Sequence, residues 1–296
     1  MGTIRYGGSG GSHDWSSRAF PRTPIHSLSL ATTPLEVLDL HGNTFTHGTA
    51  LIYRHEDLPY LATAWHVVSG RDFFSRELNR QGLVPKRLRF YIPSFHQTGE
   101  LINIRSNPFT LDLTEEAQEG LTKPPEPFGF PVDVAVAKLP LAEGKQGSFT
   151  AQGLNDFRWG FTQRSRPPIQ SMVGADVFVL GYPLSSYEGL RTPIWKRGAI
   201  ASEPSFKIEP QGTFLVDVNS AGGMSGGPIL RRVATMTADN KDAGVIQEFY
   251  DEMLIGIYSG RALSASEGSF VLGYGWPVDM IHEIISKGLC FLEPDQ

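Results

Sequence analysis

Cysteine is almost absent from this chain, which excludes one common way of stabilising a protein. The 296 residues include a single cysteine, Cys290, so the chain cannot form a disulfide with itself. Disulfides persist in oxidising compartments, and small secreted proteins usually depend on several of them. We therefore expect a reducing, cytoplasmic location. Cys290 lies between Leu289 and Phe291, and a free cysteine in such an apolar stretch is expected to be buried and unreactive.

Long apolar runs and an excess of basic charge are also missing. No stretch approaches the ~18 consecutive apolar residues that a transmembrane helix needs. Residues 1–12 are rich in glycine and serine and hold no apolar stretch, so we expect no signal peptide there. The formal net charge is -5, whereas nucleic-acid binding needs a basic patch. We expect neither a membrane nor a nucleic acid as a partner. Without clustered metal-ligand spacing, we expect no metal and no cofactor.

A serine set among glycines is the most informative feature that is present. It lies in the segment Gly223-Met224-Ser225-Gly226-Gly227-Pro228. Glycine is kept where the backbone must turn sharply or approach another group closely. Such a loop can expose the Ser225 hydroxyl while its backbone N–H groups point at a common spot. That is the geometry needed to attack a carbonyl and to hold the oxygen anion that results.

A nucleophilic serine needs a base and a group that orients the base, and both have candidates upstream. Thr63-Ala64-Trp65-His66 places a histidine after a mostly apolar stretch, and Asp133 stands at the head of the strand-like run 133–139. The unperturbed pKa of histidine, about 6.5, lets His66 accept and return a proton near neutral pH. Asp133 would hold the imidazole in one tautomer and stabilise its charged form.

Each of these residues also has an ordinary structural interpretation. His66 is one of eight histidines, and most histidines in apolar surroundings are simply packed in the core. An aspartate before an apolar strand is usually a cap or turn residue, and glycine-rich serine loops often mark turns. The functional interpretation gains its weight from three motifs in the order His, Asp, Ser.

The three segments together resemble the T-A-x-H, D-x-A and G-x-S-G-G-P signatures of trypsin-like serine peptidases. The bacterial HtrA/Deg branch is the most similar part of that family. The segments 179–183 and 254–260 strengthen the resemblance, which covers residues 46–287 in islands. It implies an all-β fold of two six-stranded antiparallel β-barrels with a C-terminal α-helix packed on the second barrel. It also implies a serine endopeptidase that acts through His66, Asp133, Ser225 and an acyl-enzyme.

The resemblance further implies the groups that contact the substrate. The backbone N–H groups of Gly223 and Ser225 would form the oxyanion hole. An extended polypeptide substrate would pair with the strand 254–260. Ser259 would lie beside Asp133, and Gly260 and Arg261 would lie beside the substrate. Asn219 would lie near the floor of the pocket that binds a substrate side chain. An uncharged floor argues against a strict Arg or Lys preference. Arg261 would favour an acidic or polar side chain, or it is a solvated rim charge.

Two departures from the family are visible in the sequence, at Met224 and between His66 and Asp133. Met224 stands where digestive enzymes carry an aspartate that pairs with a freed N-terminus, so we expect no activation of that kind. Asparagine is usual there in the HtrA branch, so Met224 is atypical even within it. The long stretch between His66 and Asp133 implies an insertion near the active-site rim. The chain also has no room for the peptide-binding PDZ module of many HtrA proteins.

The expected domain organisation follows from these motifs. Residues 1–34 form a flexible or surface-draped leader, 35–150 an N-terminal barrel with His66 and Asp133, 151–175 a linker, and 176–296 a C-terminal barrel with Ser225 and the helix. Asp279 is expected to cap that helix, which has an apolar face and ends at Gly288. The stretch 71–81 is expected to be a short helix or an ordered loop. Proline density predicts a long loop over 107–131.

Other functions fit parts of the sequence. The nucleophile elbow of α/β-hydrolases also has the pattern G-x-S-x-G, but its Asp and His follow the serine, and His282 is the only histidine downstream of Ser225. A protease fold can also serve as a non-catalytic module that grips a peptide. A third possibility is a latent protease that an activating protein partner switches on.

Overall fold

Two six-stranded antiparallel sheets make up most of the structure. The structure is a computed structural model, and it describes residues 27–56, 58–78, 82–98, 101–140, 173–183, 192–203, 210–238, 246–264 and 271–292. The strands of the first sheet are β1 (Thr32–Leu38), β2 (Thr44–His55), β3 (Leu58–Thr63), β4 (Arg87–Thr98), β5 (Leu101–Asp112) and β6 (Ala135–Lys138). Those of the second are β7 (Asp176–Gly181), β8 (Ile194–Ile200), β9 (Phe214–Asp217), β10 (Pro228–Ala238), β11 (Ile246–Ser264) and β12 (Val271–Pro277). The helices of the described residues are α1 (Ser27–Leu30), α2 (Trp65–Ser69), α3 (Glu115–Gly120) and α4 (Asp279–Ser286).

The first sheet has the strand order β5-β4-β1-β2-β3-β6, and its register brings two sequence-distant segments together. In the β3–β6 pair, Thr63 lies opposite Ala135. The chain leaves β3 just after Thr63 and enters β6 just before Ala135. Because the strands are antiparallel, His66 and Asp133 therefore come out at the same end of the pair.

The second sheet closes into a barrel, in the order β10-β11-β12-β9-β8-β7, with β7 pairing back onto β10. The predicted all-β fold of two six-stranded antiparallel units is thus confirmed, although in the first sheet β5 and β6 lie at opposite edges of the strand order. Strand β12 is an element that the sequence analysis did not anticipate. Its short sequence mixes glycine with aromatic residues, and it supplies the link between β11 and β9.

The C-terminal helix α4 is present, but the expectation about its N-cap is wrong. Its N-cap is Val278, and Asp279 is instead the first helical residue, where its charge lies near the helix N-terminus. The buried face of Met280, Ile281 and Ile284 belongs to the apolar cluster that contains the core of the first sheet and also Leu230, Ile257 and Trp276 of the second barrel. An amphipathic stripe predicts a buried face without saying what will cover it.

The helix ends at Gly288, as expected. The Gly288 N–H donates to the carbonyl of Ile285 at 3.1 Å, and the Leu289 N–H donates to that of Ile284 at 2.9 Å. This pair of bonds is a Schellman ending. The chain then runs along β6: the Phe291 N–H donates to Val136 at 3.0 Å, and the carbonyl of Leu292 accepts from Lys138 at 2.9 Å. Residues 288–292, named here the C-terminal strap, therefore cover the free edge of β6. Cys290 in this strap is half-buried rather than fully buried.

The predicted leader does not extend as far as residue 34. Ala31 is fully buried, its carbonyl accepts from the Ile52 N–H at 2.8 Å, and Leu30 is also in the core. Residues 27–34 are thus part of the first sheet unit, whereas residues 1–26 lie outside the described part. Most of the proposed 151–175 linker also lies outside it, so the domain boundaries stay predictions.

The long loop predicted over 107–131 is wrong in its first half. Strand β5 continues to Asp112, and α3 follows it. The Thr114 hydroxyl accepts from the Ala117 N–H at 3.2 Å, and Glu115 and Glu116 place negative charge in the first turn. These are strong helix-start signals, and the prolines that prompted the loop prediction begin only after the helix.

Candidate active site

Asp133 is buried at the end of β3 and β6 and fixes His66 through two hydrogen bonds. The His66 backbone N–H donates to Oδ1 at 2.8 Å, and Nδ1 of the ring lies 2.7 Å from Oδ2. Asp133 is 1% exposed, whereas 28% of the His66 side chain remains exposed. Because a carboxylate only accepts, Nδ1 carries the proton and Nε2 is left as the acceptor on the exposed side of the ring.

The second barrel supplies a further partner for the same carboxylate. The Ser259 hydroxyl, on β11, donates to Oδ2 of Asp133. The structure thus places Ser259 beside Asp133, where the sequence analysis expected it. A buried carboxylate is costly unless it is hydrogen-bonded, and here donors from both sheets satisfy it.

The electrostatic environment favours the charged form of His66. Burial of the ring by itself would lower the pKa of His66, but the charge of Asp133 and its hydrogen bond raise it, and the more distant Asp72 carboxylate adds to this. The pKa of His66 is raised above its ordinary value as a result. Such a shift suits a group that can accept a proton near neutral pH and return it later.

The loop that carries Ser225 is held tightly between the two sheets. The Ser225 carbonyl accepts from the Thr49 N–H of β2 at 2.8 Å, and the Gly226 N–H donates to the Tyr258 carbonyl of β11 at 2.7 Å. Gly226 has a φ of +87°, and a Cβ placed on it would lie 2.0 Å from the Thr49 carbonyl oxygen and 2.1 Å from Oγ1 of Thr63. Only glycine fits this backbone and this contact. Because Thr63 precedes α2, the Ser225 loop abuts the segment that carries His66.

Thr49 is a residue that the sequence analysis missed. Its side chain is fully buried, its hydroxyl donates to the Gly223 carbonyl at 2.8 Å, and it accepts from the Tyr182 N–H at 3.0 Å. The Gly223 carbonyl is thereby turned inward, towards the first sheet. Thr49 stands in an ordinary strand pattern, so no local signal marks it.

Ser225 also lies next to the strand that was expected to bind substrate. Gly260 has a φ of +112°, and a Cβ placed on it would lie 3.5 Å from Oγ of Ser225. The Ser225 hydroxyl therefore faces the main chain of β11, one residue beyond Ser259. The structure brings His66, Asp133, Ser259, Gly260 and Ser225 into one place at the junction of the two sheets.

The expected pocket residues are less well placed. Asn219 is exposed, whereas the neighbouring Ser220 is buried and its hydroxyl lies 2.5 Å from the hydroxyl of Tyr258. The Tyr258 ring packs on Gly273, where a Cβ would come within 2.3 Å of it. Ser220 and Tyr258 were not singled out from the sequence, because their contact joins distant segments. The Arg261 side chain lies outside the described part.

Met224 is a packing residue in this structure. It is fully buried in the core cluster of the second barrel. A Cβ on Gly181 of β7 would lie 3.1 Å from Met224 Cγ. The apolar side chain that directly precedes Ser225 thus anchors the loop by its burial.

The described residues contain neither a metal-binding cluster nor a membrane-spanning helix. In the part of the chain that the structure covers, no group of three or more His, Cys, Asp and Glu residues is arranged to hold a metal ion. None of its helices has the length and apolarity needed to cross a membrane.

The fold is shared with solved serine proteases. The chain superposes on the protease Anisep from Arthrobacter nicotinovorans with a TM-score of 0.50 and 13% identity, over 88% of this chain and 96% of that one. The thermostable serine protease AL20 from an extremophilic microorganism gives 0.48 and 15%, over 88% and 99%. The Rv3671c protease from M. tuberculosis gives 0.44 and 16%, over 91% and 85%. The superposition shows that the fold is chymotrypsin-like. At identities this low, it does not show the function, which has to be argued from the residues of the site.

Comparison of the sequence alone finds no relative. No protein-family model matches the chain, and no curated protein matches it.

Proposed function

We propose that the protein is a serine endopeptidase with Ser225 as nucleophile, His66 as general base and Asp133 as the orienting carboxylate. The observation that carries the proposal is the buried Asp133, which binds both the Nδ1 and the backbone N–H of His66 beside the glycine-held Ser225 loop. The fold, which it shares with serine proteases, supports a peptidase. The HtrA/Deg-like assignment, the cytoplasmic location and an activating partner depend on the sequence motifs and composition alone.

The proposed reaction begins with attack of the Ser225 oxygen on a peptide carbonyl while Nε2 of His66 takes the hydroxyl proton. The carbonyl oxygen becomes an anion, and the N–H groups of Gly223 and Ser225 stabilise it. When the C–N bond breaks, His66 gives its proton to the leaving amine. Water then attacks the acyl-enzyme ester by the same route, which releases the acid and restores Ser225.

The Asp133 carboxylate has a role at each proton transfer in this scheme. It keeps the proton on Nδ1 and stabilises the imidazolium that forms when Nε2 is protonated. Ser259 holds the carboxylate from the opposite barrel, so the position of the base depends on both halves of the molecule. Main-chain groups around Gly260 and Arg261 on β11 are proposed to pair with an extended substrate.

Covalent labelling tests the proposal directly. A fluorophosphonate probe should add to Ser225 in the purified protein, detected as a mass shift on the peptide that contains Ser225. The shift should be absent in Ser225→Ala and strongly slowed in His66→Ala, because an unassisted serine hydroxyl is a weak nucleophile.

Two other outcomes would change the interpretation. Labelling that appears only after cell extract is added would indicate a latent enzyme that needs a partner. A protein that stays unlabelled under both conditions, while folded by circular dichroism, would exclude the peptidase and leave a binding module.

A further inference from the structure

An exposed aromatic side chain lies on the rim of the proposed active site. Phe74 is 64% exposed, which is unusual for a phenylalanine. It belongs to the segment 70–78 directly after the helix that carries His66, named here the aromatic loop. The sequence analysis expected a helix or an ordered loop over 71–81, and the described residues of it form an ordered loop.

Internal hydrogen bonds hold the aromatic loop in shape. Oδ1 of Asp72 accepts from the backbone N–H groups of Phe74 at 2.9 Å and Ser75 at 2.8 Å. The Arg76 N–H donates to the Asp72 carbonyl at 3.0 Å, and the Asp72 N–H donates to the Glu77 carbonyl at 2.9 Å. The loop thus presents Phe74 from a closed turn, which reduces the entropy lost when a ligand binds.

A buried neighbour anchors the aromatic loop to the protein. Phe73 is 7% exposed, and its ring makes edge contacts with Trp65 at 6.3 Å and with Trp276 of β12 at 5.7 Å between centroids. The guanidinium of Arg76 lies 4.4 Å from the centre of the Phe73 ring. Because Trp65 begins α2, which follows β3 of the first sheet, and Trp276 lies on β12 of the second sheet, the loop is fixed at the junction of the two sheet units.

The Phe74 ring lies beside β12, which pairs with β11, the strand that faces Ser225. Its centroid is 6.1 Å from that of Tyr274 on β12. Tyr274 pairs with Gly260, the residue whose Cβ would lie 3.5 Å from Oγ of Ser225. Gly260 offers no side chain of its own, and Phe74 and Tyr274 provide two apolar groups close to it among the described residues.

We propose that Phe74 and Tyr274 bind an apolar side chain of the polypeptide substrate, within a few residues of the bond that is cleaved. The inference deepens the proposed function, on which it rests. An extended peptide paired with β11 at Gly260 would pass this aromatic pair, and its alternate side chains would contact one face each. The substrate class is therefore a peptide with a leucine-like or aromatic residue at that position.

The test measures binding without catalysis. The full-length Ser225→Ala variant is titrated by fluorescence anisotropy with two labelled polyalanine-based peptide sets, in which one position at a time is leucine or serine. One position should show a leucine preference of about 10-fold to 100-fold, the value of burying one such side chain. Phe74→Ser in the same background should reduce that preference to within about 3-fold, and Phe74→Leu should restore most of it.

A matched control comes from Leu40, which is 67% exposed in the turn between β1 and β2. Leu40→Ser should leave the preference unchanged, since it removes an equally exposed apolar side chain elsewhere. A leucine preference that survives Phe74→Ser, or that is absent from the start, overturns the inference.

Failure of the inference is distinguishable from failure of the proposed function. Fluorophosphonate labelling of Ser225 in the otherwise unchanged protein reports the reactivity of the serine, because the probe contains no peptide side chain for Phe74 to bind. If Ser225 is labelled but the leucine preference does not depend on Phe74, the proposed binding of a side chain by Phe74 and Tyr274 is wrong, and the peptidase proposal stands. A Phe74-dependent preference without labelling keeps the subsite in a binding module.

Discussion

At the scale of single residues, Asp133 links the two halves of the protein. It accepts from His66 on the first sheet unit and from Ser259 on the second. The sequence predicted this grouping because each residue stands in a short motif with a fixed local structure. The contacts of Thr49 and of Ser220 with Tyr258 were not predictable, since they join positions that are far apart in sequence and unremarkable locally.

The raised pKa of His66 determines a pH dependence. Peptidase activity needs the neutral imidazole, so kcat/KM should fall as the pH drops through the raised pKa of His66. The midpoint of this acid limb should lie above about 6.5, the ordinary value for histidine. The charge of Asp72 contributes to the rise, and Asp72→Asn, which keeps an oxygen acceptor for the loop, should move the midpoint down.

The measurement is a pH–rate profile of both proteins on one peptide. Stability should have the opposite sign from activity, because protonated His66 is favoured in the folded state. Its contribution is fully present below the unfolded pKa and is lost as pH rises through the folded one. An acid limb that lies below about 6.5 would contradict the assignment of His66 as base.

At the scale of elements, the short loops and strands around Ser225 depend on close backbone contact. The Ser225 loop contacts β2 and β11 through main-chain atoms and approaches the Thr63 hydroxyl of β3, which leaves no space for a side chain at Gly226. The sequence predicted most strands from apolar runs between turn residues. It missed β12, whose glycines break the expected pattern. It also did not foresee that α4 packs against the first sheet as well as the second, because amphipathicity does not name a partner.

Replacement of Gly226 should destabilise the fold strongly. A Cβ would come within 2.0 Å of the Thr49 carbonyl, and the φ of +87° disfavours any other residue. Gly226→Ala is therefore expected to lower the free energy of unfolding by about 2–5 kcal/mol, from backbone strain and overpacking together. Urea denaturation followed by circular dichroism measures the change.

Gly129 provides the comparison for that variant. Its φ is +78°, but nothing lies within 4 Å of a Cβ there. Gly129→Ala should therefore cost about 1–2 kcal/mol, from the backbone term alone. Equal losses in the two variants would show that the contact with Thr49 contributes nothing.

At the scale of the whole molecule, the chain returns to the sheet where it began. After the second barrel is complete, α4 packs into the core of the first sheet and the C-terminal strap covers the edge of β6. Covering an edge strand also protects it from pairing with other chains. The two sheet units are thus joined by apolar contacts and backbone bonds besides those at the active site.

Removal of the C-terminal strap should weaken the whole fold. A chain ending at Lys287 loses the hydrogen bonds from Phe291 to Val136 and from Lys138 to Leu292, together with the apolar contacts of the strap. With about 1 kcal/mol for each bond and some burial besides, the melting temperature should fall by about 5–10 °C. Differential scanning calorimetry gives the shift.

A chain ending at Leu292 is the control, because it keeps these bonds and should melt like the full protein. An unchanged melting temperature in the shorter chain would mean that the strap adds no stability.

The return of the C-terminus also sets an order of events during synthesis. Ribosomes deliver the N-terminal half first, and such halves often fold as they emerge. Here β6, which leads out of Asp133, acquires its last neighbour only when residue 292 has left the exit tunnel. The first sheet unit is therefore complete only after the whole second barrel has been synthesised.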